Sequence, residues 1–229
     1  LGRSSDTGAP ARDARFGVRP RYRVEAWLPA ERRALPALLG GIHAAVLHEL
    51  GGFILHASSV LLEHGVLGFL GPSGAGKSTA SVQLGAGSLF SVDRLALLPE
   101  RRMPGELQDH EASRAWRAYP LFGGTLPEGT MARAAPSWQR LQGLLRVDRA
   151  AQGASVEAPA LARAVAVLRE SSLHGGQGAG SELEFLARLE QFAREVRVGR
   201  LHFALHAALG PTVGEWLSGA QAGSAREMA

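Results

Sequence analysis

The chain has 229 residues, 45% of them hydrophobic, enough for one full core. It has no cysteine, which excludes disulfides and thiolate metal sites, and no apolar run approaches the roughly 18 residues of a membrane span. The net charge is only +4 with arginines scattered among acids, so a nucleic-acid stripe is not expected, although Arg12 to Arg23 is locally basic.

Residues 1–15 are rich in Gly, Ser, Asp, Arg and Pro and are expected to be disordered. Arg21 to Leu28 alternates like a strand, and Leu35 to Leu50 carries apolar residues at helical spacing until Gly51-Gly52 stops it. Phe53 to His56 and Ser59 to Leu62 form two strand-like runs, and Glu63-His64-Gly65 makes a tight turn. Val66 to Leu70 reads as a buried strand.

The most specific signal in the chain comes directly after that strand. Gly71, Pro72, Ser73, Gly74, Ala75, Gly76, Lys77 and Ser78 spell G-x-x-x-x-G-K-S, and Thr79 to Leu84 continues as a helix. The glycines let the backbone approach a polyphosphate, and the helix start favours an anion. Of 25 Lys and Arg residues, the single lysine stands where a compact ammonium is needed for the β/γ-phosphates. Residues 71–79 are therefore expected to hold a nucleoside triphosphate, with the Ser78 hydroxyl on Mg²⁺. Lys77 is expected to point at solvent when no nucleotide is bound.

Downstream, Gly85 to Gly87 breaks the helix, and Ser88 to Val92 is the next strand, ending in Asp93-Arg94. Glu100 to Glu111 is polar and looped, and Tyr119 to Pro127 is punctuated by Gly and Pro. Arg140 to Val147 has strand character. Glu157 to Glu170 reads as a helix with Leu161, Val165 and Leu168 on one face. His174 to Gly180 is a Gly-rich link. Ser181 and Glu184 form a capping box for a helix to about Val196. Leu201 to Leu205 is a late strand. The expected organisation is a mixed α/β domain over 16–210 with a peripheral tail over 211–229.

Two residues belong with the loop. Asp93 is expected at the carboxyl end of the strand after the loop helix, where ligand chemistry collects in open α/β sheets. There it can hold Mg²⁺ or accept a hydroxyl proton, although a strand-end aspartate paired with Arg94 is the plainer alternative. His56 is expected to end its strand at the mouth of the hairpin feeding the loop.

Gly51 to Val60 with His56, Gly71 to Thr79, and Ser91-Val92-Asp93-Arg94 together resemble the catalytic domain of HPr kinase/phosphorylase. The chain is similar to the shorter HPr-kinase-like proteins beside peptide-modification genes, lasso-peptide clusters among them; Pro120-Leu121-Phe122-Gly123-Gly124 is similar to their Pro-Phe-Gly segment. The resemblance implies a mixed-sheet P-loop kinase domain of the HPr kinase/phosphoenolpyruvate carboxykinase-like type. It also implies ATP- and Mg²⁺-dependent phosphorylation of a serine on a protein or peptide, with Lys77, Asp93 and His56 catalytic and Ser78 and Asp93 on the metal.

The family carries two adjacent aspartates where this chain has Val92-Asp93. Asp93 matches the second, metal-associated one, unless a connection one residue shorter slips the register and lets it take either role. Neither the family's Gly-rich phosphorolysis signature nor its regulatory N-terminal domain is recognisable, so reversal with inorganic phosphate is not expected. Two alternatives stand beside the serine kinase: an ATP-binding pseudokinase, favoured by Val92, and a small-molecule kinase. The expected location is the cytoplasm, without a membrane partner; homo-oligomers are compatible with this reading.

Overall fold

The computed structural model describes residues 35–85, 89–100, 115–121, 138–173 and 182–226, with side chains described within 40–219. The expected tail over 1–15, the basic segment 12–23, the strand at 21–28, residues 101–111, residues 122–127, the link 174–180 and the Ser181 cap lie outside these ranges.

The chain enters the described region as α1 (Leu35–Glu49). Its end is a Schellman closure: Gly52 N–H donates to Leu47 O at 2.7 Å and Gly51 N–H to His48 O at 2.9 Å. Gly51 has φ 84°, which a residue with a Cβ adopts only at a cost.

The next runs are not separate. Phe53–Leu62 is one strand of 10 residues, β1, because its first half finds one partner and its second half another. The turn at 63–64 returns the chain as β2 (Gly65–Leu70), buried along its whole length. Then come the loop, α2 (Lys77–Leu84), the three-residue β3 (Leu89–Ser91) and β4 (Arg94–Pro99). β5 (Trp116–Leu121), β6 (Gln139–Arg149) and β7 (Ala154–Glu157) come next. The chain closes with α3 (Leu161–Ser171), α4 (Glu182–Glu195), β8 (Val198–Phe203) and α5 (Leu209–Arg226).

The result is a mixed α/β fold on a largely antiparallel sheet in the order β2-β1-β4-β5-β6-β8-β7, with β3 added to β1. A further pairing of β2 with β6 turns five of these strands into a closed circuit, β1-β2-β6-β5-β4. The long strands β1 and β6 allow it, each leaving one partner midway for the next. Gly68 faces into the circuit; a Cβ there would lie 2.6 Å from Leu144 Cδ2 and 3.3 Å from Leu95 Cδ2.

Three apolar clusters fix the helices. Phe53, Leu55, Leu70, Leu95 and Leu144 pack against Val167 and Leu168 of α3 and Phe185, Leu189 and Phe192 of α4. Phe192 meets Phe53 and Trp116 edge-on at 5.0 and 4.7 Å. Ile54 and Ala96 meet Ala44 and Leu47 of α1. Val60, Leu67, Phe69, Leu145, Val147, Leu201 and Phe203 meet Ala80 of α2 and Leu209 and Val213 of α5.

Four expectations change. The helix expected from 157 begins at Leu161, because 154–157 pair with β8 as β7; its buried face is Ala164, Val167, Leu168 and Ser171, with Leu161 and Val165 only half-buried. The late strand lies at 198–203, in parallel register with β6. Where a peripheral tail was expected from 211, α5 buries Val213 and sets Trp216 over Gly143 and Gly199, where a Cβ would stand 2.9 and 3.0 Å from its ring. The fourth change concerns β1: as one strand, it carries His56 in its middle rather than at its end.

Candidate functional site

β2, β6 and β8 run parallel, so their carboxyl ends share one edge, the place where loops in such sheets gather ligands. The 71–76 loop leaves β2 at that edge. Gly71, Gly74 and Gly76 have φ of 142°, 78° and 101°, a left-handed sequence that turns the chain from strand to helix within six residues. The loop rests on its neighbours: a Cβ at Gly76 would lie 3.3 Å from the Phe203 ring, and one at Gly71 would lie 3.3 Å from Val147 O. Pro72, Ser73 and Gly74 are exposed, while Ala75 and Gly76 are half-buried. α2 opens at Lys77 from a left-handed Gly76 with no side chain capping it, so its first amides are available to an external anion.

Lys77 is not directed at solvent. It is 8% exposed and folds back over the loop, Nζ donating to Gly71 O at 2.8 Å and Pro72 O at 3.1 Å. An ammonium has three donors, so a third remains for a phosphate oxygen. Burial pushes its pKa below the ordinary lysine value, and the nearby Asp93 carboxylate opposes that fall. Ser78 is exposed in the first turn and Thr79 half-buried behind it. α2 is pinned to β1 by Ser81, whose Oγ donates to Ser58 Oγ at 2.8 Å in the interior.

His56 reaches the site from β1. Ala57 pairs with Leu70, the last residue of β2, so the next residue on β1, His56, passes beside the start of the loop. Asp93 arrives by a different route from the expected strand end. β3 stops at Ser91, Val92 and Asp93 form a bend, and β4 starts at Arg94. Both strands pair with β1, Ser59 facing Ser91 and His56 facing Arg94, and Asp93 O accepts from Ala57 N–H at 3.0 Å. The bend is thus spliced into an otherwise continuous partner of β1, and it sets the Asp93 side chain over His56. His56 Nδ1 lies 3.0 Å from Asp93 Oδ1, with both side chains about a third exposed. Arg94 Nε lies 3.5 Å from Asp93 Oδ2, so the ion pair considered as the plainer alternative coexists with the histidine contact.

The structure therefore brings the expected residues together. Lys77 and Asp93 interact electrostatically, Asp93 holds His56, and the 71–79 segment lies alongside. Ser78 and Asp93 suit Mg²⁺ by donor type: hard oxygens, one hydroxyl and one carboxylate, with phosphates and water to complete the shell. Among the described residues no cluster of three or more His, Cys, Asp or Glu could hold a metal by itself, so this donor set fits only a cation that arrives with phosphate.

Sequence reasoning missed Arg149, at the end of β6, whose Nη2 donates to Gly74 O at 3.1 Å. A signal was present: Val-Asp-Arg occurs at 92–94 and again at 147–149, both times at the edge that carries the loop. The Ser58–Ser81 pair was missed for lack of any long-range signal. Among the described residues a separate cleft of about 540 Å³ lies at the other end of β2, lined by Glu63, His64, Gln139 and Arg140. No described helix is long and apolar enough to cross a membrane. Set against known proteins, the chain matches no family model and no curated sequence.

Proposed function

We propose that the protein is an ATP-dependent kinase that transfers the γ-phosphate to a serine hydroxyl of a protein or peptide, built on the HPr-kinase-like P-loop plan. The observation that carries this reading is the contact of His56 Nδ1 with Asp93 Oδ1 at 3.0 Å, beside a phosphate loop whose lysine is within electrostatic reach of the same carboxylate. A loop alone supports nucleotide binding; a base held by an acid next to it supports transfer.

The roles rest on donor counts. Asp93 accepts from His56 Nδ1–H, which fixes the tautomer and leaves Nε2 to take the proton of the incoming hydroxyl. The serine oxygen bonds to the γ-phosphorus as the bond from that phosphorus to the β–γ bridging oxygen breaks, and ADP leaves with the bridging oxygen. Lys77 and the first amides of α2 hold charge on the phosphates through the transfer. Mg²⁺, held by Ser78 and Asp93 with the nucleotide, would supply further neutralisation of that charge. With ATP and Mg²⁺ as co-reactants, the natural setting is the cytoplasm.

A second reading, an ATP-binding protein without transfer, draws on Arg94. Its Nε at 3.5 Å from Asp93 Oδ2 means the carboxylate is engaged on both oxygens, and Val92 offers no second acid. Incubation with γ-labelled ATP, Mg²⁺ and serine peptides separates the two. Label on a peptide serine supports the kinase. Tight ATP binding with no label on any acceptor supports the second reading, and absence of ATP binding removes both.

A further inference from the structure

β6 runs parallel to β2 with Leu70 facing Arg146, so Val147, Asp148 and Arg149 continue past the point where β2 becomes the loop. At about 3.3 Å per residue, that overhang carries Arg149 about 10 Å along the flank of the loop. Side chains alternate along a strand. Val147 belongs to the cluster under α2, and Arg149, two residues on, shares its face. Arg146 and Asp148 take the other face, where Arg146 pairs with Glu170 at 2.7 Å and Asp148 with Arg200 at 2.6 Å.

Arg149 differs from these neighbours. Arg146 and Arg200 are paired with carboxylates, whereas among the described residues none pairs with Arg149. Its contact is instead with the loop carbonyl of Gly74 at 3.1 Å, and the side chain is exposed. A guanidinium carries five N–H donors in a fixed fork. One is used on Gly74, and the others are left for a ligand at the exposed crown of the loop. A planar fork with unclaimed donors beside an anion-binding loop matches phosphate oxygens, which it engages in pairs.

Resting on the nucleotide-loop reading above, we propose that Arg149 is a second cation of the polyphosphate site, supplied in cis, that contacts the terminal phosphate and makes the protein prefer a nucleoside triphosphate to a diphosphate. Lys77 is tied to the base of the loop at Gly71 and Pro72, and Arg149 to its crown at Gly74, so the two bracket the loop from opposite ends. The tether to Gly74 positions the guanidinium before the nucleotide arrives, so less side-chain freedom is lost on binding.

The test is calorimetric titration, with Mg²⁺, of the imido analogue of ATP and of ADP into wild type, Arg149→Ala and Arg149→Gln. Gln keeps a polar side chain with N–H donors but removes the charge, so it fills part of the same space without the cation. Both variants are expected to lose roughly ten- to a hundredfold affinity for the triphosphate analogue, the scale of a hydrogen bond to a charged group, and less than about threefold for ADP. Equal losses for the two nucleotides would mean that Arg149 only shapes the loop, and no loss would mean that it does not touch the ligand; either overturns the proposal. If Arg149→Ala melts early, Arg149→Gln decides alone. Wild type that binds neither nucleotide overturns the loop reading itself, whereas wild type that binds both with Arg149 variants unchanged overturns only this one.

Discussion

Lys77 closes the phosphate loop on itself through Gly71, whose carbonyl accepts from Nζ at 2.8 Å. With Pro72 O also in reach at 3.1 Å, the side chain is a strut of the loop as well as its proposed ligand for phosphate. Lys77→Ala is therefore expected to lower stability without any ligand, by about 1–2 kcal/mol, because two charge-assisted bonds are lost while the freed carbonyls turn to water. Nucleotide stabilisation should vanish as well. In wild type, Mg·ATP at 100 times its dissociation constant should add about 2.7 kcal/mol. Thermal melting with and without Mg·ATP reads both effects, and a variant that still shifts with ATP as wild type does would place the site elsewhere.

The same lysine gives stability a pH dependence of known sign. Burial lowers its pKa in the folded protein below the 10.5 of the free side chain. Between the folded value and 10.5 the unfolded chain binds more protons, so stability rises with pH across that window. The gain is complete above 10.5 and is lost as pH falls through the folded value. Denaturant melts of wild type and Lys77→Met over this range should show a rise in wild type that the methionine variant lacks. Parallel pH profiles would mean that Lys77 titrates as freely when folded as when unfolded.

The loop, its strand and its helix were legible because they are local: a glycine spacing, an apolar run of five and a lysine in a chain that otherwise writes arginine. The partners of β1 were not. Phe53 to His56 and Ser59 to Leu62 look like two strands because their polar residues, His56, Ser58 and Ser59, sit between apolar runs. In the fold those same residues face α2 and the Asp93 bend, or are buried outright. β7 escaped notice because four residues ending in Glu157 carry too little pattern, and only pairing with β8 makes them a strand. α5 looked peripheral because its contacts, Trp216 over Gly143 and Gly199, join residues far apart in sequence.

Ser58 and Ser81 join strand to loop helix through one buried hydrogen bond of 2.8 Å. Truncating Ser81 strands the Ser58 hydroxyl away from water, at a cost of about 1–3 kcal/mol, whereas removing both hydroxyls is nearly neutral. Ser81 Oγ also reaches Lys77 O at 3.0 Å, so it keeps an alternative acceptor when Ser58 is truncated. Ser58→Ala and Ser81→Ala should each destabilise, and the double variant should be no worse than the weaker single one. Strictly additive losses in urea melts would show that the two hydroxyls are energetically independent.

His56 and Asp93 are separable by their partners. Asp93→Asn keeps shape and removes the charge, so it should weaken Mg²⁺-dependent ATP binding more than metal-free binding and slow transfer as well. His56→Gln should slow transfer by roughly 10²–10⁴-fold, the value of a positioned base, while leaving the Mg²⁺ dependence of binding intact. Binding titrations with Mg²⁺ or with EDTA, beside single-turnover transfer, give the two readouts. An Asp93→Asn protein with unchanged Mg²⁺ dependence would reduce Asp93 to the ion-pair partner of Arg94.

On the proposed kinase reading, Val92, which stands where the family that the chain resembles carries an aspartate, bears most directly on chemistry. If the aspartate's slot were vacant, wild type would transfer slowly, and Val92→Asp would raise the rate at least tenfold with little change in ATP affinity. The geometry argues otherwise. The bend at 92–93 aims Asp93 at His56, 3.0 Å away, so an acid already holds a base at the edge of the loop. Val92 is half-buried in that bend. A second carboxylate there would stand next to Asp93, and two like charges sharing a site oppose each other's ionisation. Wild type is therefore expected to turn over near ordinary kinase rates, about 1–100 s⁻¹, once its acceptor is supplied. Val92→Asp should change this by less than tenfold or lower it, and should destabilise the fold because it desolvates a charge. A tenfold or larger rescue would put the missing base at position 92. Slow transfer in both proteins, with ATP bound tightly in both, would favour the nucleotide-binding protein without transfer.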